Sequence, residues 1–286
     1  MRGRARAPAA GTVLNALATG TGSAFAIDRY LTATVEFGGS EVRGEIADHP
    51  EADTALIERC VELVAGEVGA EHGLEPGTGA HVRTESDVPM ASGLKSSSAA
   101  ANATVLAALS ALDASVEREE AARLGVRAAR DAGVTVTGAF DDASASMLGG
   151  LTVTDNTRDA LLKRDTVDWD VLVWTPDEQA FSADADVERC ERVAPMADLV
   201  ATLATDGRYG EAMTVNGLAF SAALGFPTEP MVDAMPDAEG VSLSGTGPSV
   251  VAVGRRPKLE TVRERWNSYD GTTWTTTTQN AGAERL

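Results

Sequence analysis

Residues 88–112 read VPMASGLKSSSAAANATVLAALSAL, a proline-led turn rich in glycine and serine that feeds directly into an alanine-rich helical stretch. Such a turn can receive an anion. Gly93 permits close backbone approach, and Ser96, Ser97 and Ser98 offer hydroxyls and helix caps. The free N–H groups of the first helical turn point at whatever lies in front of them. Lys95 adds positive charge. Only three of the chain's 24 basic side chains are lysines (Lys95, Lys163 and Lys258), so a lysine kept inside a glycine-serine loop points to a ligand-facing role. Phosphate is the natural guest. A well-capped helix with an exposed lysine is the plain alternative.

Two further stretches could carry chemistry. Asp141 and Asp142, in Thr137-Gly138-Ala139-Phe140-Asp141-Asp142-Ala143-Ser144, place adjacent carboxylates at the start of a helical pattern, where either could accept a proton or close a turn on its own backbone. Leu243-Ser244-Gly245-Thr246-Gly247-Pro248-Ser249 is a glycine-rich turn fit for close packing. The chain contains no G-x-x-x-x-G-K-[ST] phosphate loop and no strand followed by G-x-G-x-x-G. A Walker-type nucleotide site and a nicotinamide site are both unsupported.

These stretches resemble the GHMP kinases, the galactokinase, homoserine kinase and mevalonate kinase superfamily. Pro89-Met90-Ala91-Ser92-Gly93-Leu94-Lys95-Ser96-Ser97-Ser98-Ala99 is similar to their P-x-x-x-G-L-x-S-S-A motif, the 137–144 stretch to their G-x-D-N-A segment, and the 243–249 turn to their C-terminal glycine-rich motif. The three stand in the family's order. The wording is closest to the archaeal shikimate kinases, through Leu14-Asn15-Ala16 with Gly20-Thr21-Gly22-Ser23-Ala24-Phe25, through Gly93-Leu94-Lys95-Ser96-Ser97-Ser98, and through residues 133–143.

The resemblance implies an α/β (α+β) GHMP kinase fold in two lobes, residues 1–155 and 156–286, with the site in the cleft between them. It implies ATP-dependent phosphorylation of the shikimate 3-hydroxyl with Mg2+, on the route to chorismate. Residues 89–99 would bind ATP, and Asp141 and Lys95 would be catalytic, with Asp142 a rival because the family usually has asparagine there. Asn15, Ser23, Asp28, Asp141, Ser244, Gly245, Thr246 and Gly247 would meet the substrate. Ser97, with Ser98 as the alternative, would ligate the metal, and Asp131 falls in the window where relatives supply a metal-binding glutamate. The first motif departs from the family. Several members carry a lysine there to pair with the catalytic aspartate, whereas Pro8-Ala9-Ala10-Gly11 has none. Either the aspartate would then work without that partner, as a positioning group, or Lys95 or an arginine would serve from elsewhere. Homoserine kinase and a non-catalytic metabolite sensor on the same scaffold are the competing expectations.

Composition bounds these readings. The 286 residues carry 43 acidic side chains and a formal charge of −19, a surface that repels nucleic acid and suits a salt-loving source. Two cysteines, Cys60 and Cys190, cannot build a disulfide framework or a four-ligand zinc site, which favours the cytoplasm. No run of about eighteen apolar residues predicts a membrane span. The arginines at 2, 4 and 6 precede a stretch broken by Gly11, Thr12 and Asn15, so an N-terminal strand and turn is expected in place of an export signal. The oligomeric state stays open, a homodimer included.

Several elements must position these residues. Val13–Ala18 reads as a short apolar element before a Gly20–Ser23 turn, and Leu31–Phe37 with Glu41–Ala47 as a hairpin around Gly38-Gly39. Apolar spacing predicts a helix over Thr54–Gly69 and a strand over His81–Ser86. Further on, strands are expected at Trp169–Trp174 and Thr272–Thr278, and helices at Asp186–Gly207 and Tyr209–Leu224, the last closed by Gly225 and Pro227.

Overall fold

The computed structural model describes residues 1–89, 92–135, 138–177 and 185–286. Two sheets carry the chain, each backed by helices. The first has seven strands. β1 (Arg2–Leu14) runs antiparallel to β2 (Thr21–Phe37), a long strand whose later half pairs with β4 (Ala80–Ser86) and whose earlier half pairs with β5 (Leu151–Asp155). β3 (Val42–Ile46) lies outside β4, β6 (Ala160–Asp165) forms a hairpin with β5, and β11 (Glu284–Arg285) borders β1. The Gly20–Ser23 segment, expected as a turn, mostly belongs to β2; the reversal lies at residues 16–19.

The expected hairpin around Gly38-Gly39 does not form. β4 inserts between β2 and β3, antiparallel to the first and parallel to the second. Gly79, at the entry to β4, donates to the Gly39 carbonyl and accepts from the Gly38 N–H, so the glycine pair bonds a later segment. A crossover through α1 (Ala55–Val64) joins β3 to β4, as a parallel pair requires. The periodicity over 54–69 is interrupted at its end, where residues 65–69 widen into a π turn.

Against this sheet lie α1, α2 (Ser96–Ala111), α3 (Arg118–Asp131) and α4 (Phe140–Leu148). α2 is buried around almost its whole circumference, which explains its alanine content. Small side chains let it seat on β1 so closely that a Cβ on Gly3 would stand 2.2 Å from the Ala107 carbonyl oxygen. A bulkier helix would lift off the sheet and take the loop before it along.

The second sheet, in the order β10-β7-β9-β8, is antiparallel and consists of β7 (Asp170–Thr175), β8 (Gly240–Leu243), β9 (Val250–Gly254) and β10 (Thr272–Thr277). Its helices are α5 (Val187–Glu191), α6 (Ala194–Thr205), α7 (Tyr209–Leu224), α8 (Glu229–Ala234) and α9 (Arg256–Trp266). The helix expected over 186–207 divides into α5 and α6 because Pro195 occupies the first turn of α6, where its missing N–H is tolerated. α7 ends at Gly225, whose φ of +82° caps it in the left-handed region. A boundary at 155/156 falls between β5 and β6, inside the first sheet; the second sheet begins at Asp170. Among the described residues no helix is long and apolar enough to cross a membrane.

Candidate active site

The loop before α2 is fixed by the glycine-rich turn after β8. Gly93 has φ +81°, and a Cβ there would lie 2.3 Å from the Ser244 carbonyl oxygen and 2.8 Å from that of Gly247. Only glycine fits. Ser244 Oγ donates to the Gly93 carbonyl at 2.9 Å, and the Ser249 N–H to the Ser92 carbonyl at 3.3 Å. The end of β1 closes the arrangement, with the Ala10 N–H on the Leu94 carbonyl, Asn15 Nδ2 on the Gly245 carbonyl at 2.8 Å, and Thr12 Oγ1 accepting from the Gly245 N–H at 2.8 Å. Three segments remote in sequence thereby meet at one point. Lys95 precedes α2 in the left-handed region with φ +63°, and its side chain does not cap the helix. The first N–H groups of such a helix are the ones an anion can meet.

The acidic segment faces the same space. α4 also starts from a residue in the left-handed region, Ala139 at φ +52°, and carries Asp141 and Asp142 in its first turn, where the helix dipole favours carboxylates. Both aspartates are buried. Asn156 Nδ2 donates to Asp141 Oδ1 at 2.7 Å, and the Asp141 N–H donates back to Asn156 Oδ1 at 3.1 Å. Gly22 on β2 backs the same carboxylate, since a Cβ there would lie 2.6 Å from Asp141 Oδ2. Lys95 Nζ stands 2.5 Å from Asp142 Oδ1, both side chains almost fully enclosed. Burial and the neighbouring Asp141 charge push the Asp142 carboxyl up to about 7, against the pull of Lys95.

A cavity of about 660 Å3 opens between these pieces. Gly93, Lys95, Ser96, Ser97 and Ser98 line one part, Asp141 and Asp142 another, and Asn15, Gly245 and Thr246 a third. An apolar extension is walled by Leu31, Ile46, Leu56, Ile57 and Val88, with Asp48, Asp53 and Glu85 at its polar edges. The volume suits a cofactor-sized ligand with a small acceptor beside it. Among the described lining residues the basic ones are Lys95 and His49, so no arginine stands ready there for a substrate carboxylate.

Not every expected residue is here. Pro89, Ser92, Leu94 and Ala99 shape the loop from behind, with Ser92 Oγ bonded to the Pro89 carbonyl and Leu94 and Ala99 buried. Ser244 and Gly247 likewise support the loop without lining the cavity. Met90 and Ala91 lie outside the described residues. Ser23 is buried within β2, one position from Gly22 and hence on the opposite face from the aspartates. Asp28 is exposed farther along that strand, where its carbonyl accepts from Thr276. Neither lines the cavity. Asp131, at the last turn of α3, sits on the outer surface in an ion pair with Arg59 Nε at 2.8 Å and also lies outside it. Asn156 and Gly22 are the additions. Asn156 reads in sequence as an ordinary turn former in Asp155-Asn156-Thr157, and no local signal marks it.

Residues 55–150 match the family described as the GHMP kinases N terminal domain. The chain is 65% identical to the shikimate kinase of Halobacterium salinarum over 99% of both chains, and 48% identical to that of Methanosarcina mazei over 99% of this chain and 96% of the relative. In fold it is similar to the mevalonate kinase of Methanococcus jannaschii (TM-score 0.77, 16% identity, 97% and 98% of the two chains). The homoserine kinase of Cytophaga hutchinsonii is comparable (TM-score 0.75, 16% identity, 100% and 97%). Motifs, fold and full-length kinship converge: the chain belongs to the archaeal shikimate kinase family, a branch of the GHMP kinases.

Proposed function

We propose that this chain transfers the terminal phosphoryl group of ATP to the 3-hydroxyl of shikimate. The observation that carries the reading is the Lys95–Asp142 contact, which joins the phosphate loop to the acidic turn of α4 across one cavity. Phosphoryl transfer asks a protein mainly for alignment and for neutralisation of moving charge. Here the backbone N–H groups from Gly93 to Ser98, the α2 N-terminus and the Lys95 ammonium would face the phosphates. Asp141 would orient the acceptor hydroxyl and take its proton late, as a loose transition state allows even for a weak base. Asn15 and Thr246, on the third wall, would hold the acceptor's hydroxyls.

Magnesium takes oxygen donors and draws most of them from nucleotide and water, needing only one or two from the protein. The loop fits that demand: Ser97 is exposed and Ser98 partly so at the uncapped start of α2, both lining the cavity. Either hydroxyl would hold the ion, which would neutralise charge on the terminal phosphates. Asp131 is remote from this wall, and the inward carboxylates Asp141 and Asp142 are the acidic groups nearer the loop lysine. We read the protein as a cytoplasmic enzyme of a high-salt organism, in keeping with its charge of −19.

A coupled ADP-release assay with shikimate and homoserine side by side tests the substrate. Turnover with shikimate alone is expected. Preference for homoserine would assign the chain to the other acceptor, and absence of turnover with either, despite ATP binding, would make it a sensor.

A further inference from the structure

We infer that Asn156 is a positioning residue for phosphoryl transfer, setting the orientation of the Asp141 carboxylate through the amide hydrogen bond to its Oδ1. The inference rests on the reading of Asp141 as the group that meets the acceptor hydroxyl. Asn156 is 2% exposed, in the turn after β5, and each part of its side chain is engaged. Its Oδ1 accepts from the Asp141 N–H at 3.1 Å and from Thr154 Oγ1 at 2.7 Å, while its Nδ2 donates to Asp141 Oδ1 at 2.7 Å. Two donors on one atom and a carboxylate on the other leave a single consistent amide orientation. The exchange is reciprocal: backbone and side chain of Asp141 are gripped by one residue.

The grip is itself anchored. The Asn156 N–H donates to the Gly20 carbonyl at 2.8 Å, tying the turn to the start of β2, and Gly22 two residues on presses against Asp141 Oδ2. On the other side Arg130 binds Asp159 with both guanidinium arms, at 2.6 and 2.7 Å, and reaches the Asn156 carbonyl at 3.4 Å. The same guanidinium lies where a Cβ on Gly138 would fall, 2.4 Å away, so it also braces the connection that enters α4. With Oδ1 held by the amide and Oδ2 backed by a glycine, the carboxylate cannot rotate freely about its Cβ–Cγ bond. A base that must accept a proton from one small hydroxyl needs both constraints.

Asn156→Asp separates this role from mere packing. It is isosteric and keeps an acceptor for Thr154 Oγ1 and for the Asp141 N–H, but replaces the orienting donor with a second carboxylate oxygen. Kinetics of Asn156→Asp, Asn156→Ser, Asp141→Asn and the double variant Asn156→Ser/Asp141→Asn are measured together, with thermal unfolding of each. For the two single Asn156 variants, kcat is expected to fall at least about tenfold while KM for ATP stays within about twofold. In the Asp141→Asn background, Asn156→Ser should cost less than about twofold further, because a residue acting through Asp141 has nothing left to position. Equal losses in both backgrounds, or wild-type kcat in Asn156→Asp, would overturn the inference. Full activity of Asp141→Asn would instead overturn the reading of Asp141 itself. Should Asn156→Ser fail to fold, Asn156→Asp alone and combined with Asp141→Asn decides by the same criteria.

Discussion

α2 and α4 open on the same cavity with the same backbone device and opposite charge. Each follows a residue in the left-handed region, Lys95 or Ala139, whose own side chain does not cap the helix, and in α4 the Asn156 side chain accepts from the first-turn N–H of Asp141. α2 has three serines and no acid in its first turn, so the positive end of its dipole meets no carboxylate of that turn. α4 carries two carboxyl groups of its own there, Asp141 and Asp142. On the reading proposed above the difference follows from what each end would do: a site that receives phosphate stays open and polar, whereas a carboxylate that meets one hydroxyl is buried and held. Lys95 links the two, standing at the head of α2 with its ammonium against Asp142.

Substitution can break this contrast on either side. The largest effect belongs to the α4 side: Asp141→Asn is expected to lower turnover at least about a hundredfold with ATP binding nearly intact, since the loop is untouched. Steady-state kinetics alongside nucleotide titration would check the split, and a wild-type rate would remove Asp141 from the chemistry. On the α2 side, Gly93→Ala should raise KM for ATP by about tenfold or more and lower the melting temperature. The added methyl meets fixed backbone at 2.3 Å in a conformation that costs alanine about 1–2 kcal/mol by itself. An unchanged KM would mean the loop can bind ATP away from the Ser244–Gly247 turn.

The next prediction concerns protons. Between about pH 4 and 7 the folded chain keeps a proton on Asp142 that the unfolded chain has released, so this residue's contribution to stability is present below pH 4 and disappears as pH rises through about 7. Asn in its place, the residue usual in the superfamily, should flatten the loss of melting temperature over that window. The steepest change removed corresponds to about 1.4 kcal/mol per pH unit. Identical pH profiles for the two proteins would contradict the charge repulsion assigned to the pair. The smallest effect is expected for Asp131→Ala. An exposed ion pair with Arg59 contributes about 1 kcal/mol at most, and activity should stay within about twofold of wild type. A large loss of magnesium-dependent activity would return Asp131 to the site.

What the sequence reveals divides along similar lines. The loop before α2 is legible because its pattern is local: glycine, serines, lysine and a helix start follow one another. α7 is legible for the same reason, with boundaries at Tyr209 and Leu224 as its periodicity and Gly225 indicate. The hairpin around Gly38-Gly39 is misleading because β4, coming from after α1, supplies the partner that a local pattern cannot contain. Ser23 and Asp28 fail similarly. Their motif is near the site, but the pleat of β2 turns Gly22 toward Asp141 and Ser23 away. Asp131 depends on the rotation of α3, which leaves it on the solvent side. Asn156 depends on the register of β5 on β2 and on the docking of α4, so turn chemistry alone reads it as connection.

The convergence of loop and carboxylate on one transferring group is tested most directly by a crystal structure of the chain with a non-hydrolysable ATP analogue and shikimate bound together. The account predicts the terminal phosphate against the N–H groups of Gly93–Ser98 and the shikimate 3-hydroxyl within about 3 Å of an Asp141 carboxylate oxygen. A triphosphate lying elsewhere, or an acceptor hydroxyl directed away from Asp141, would contradict it.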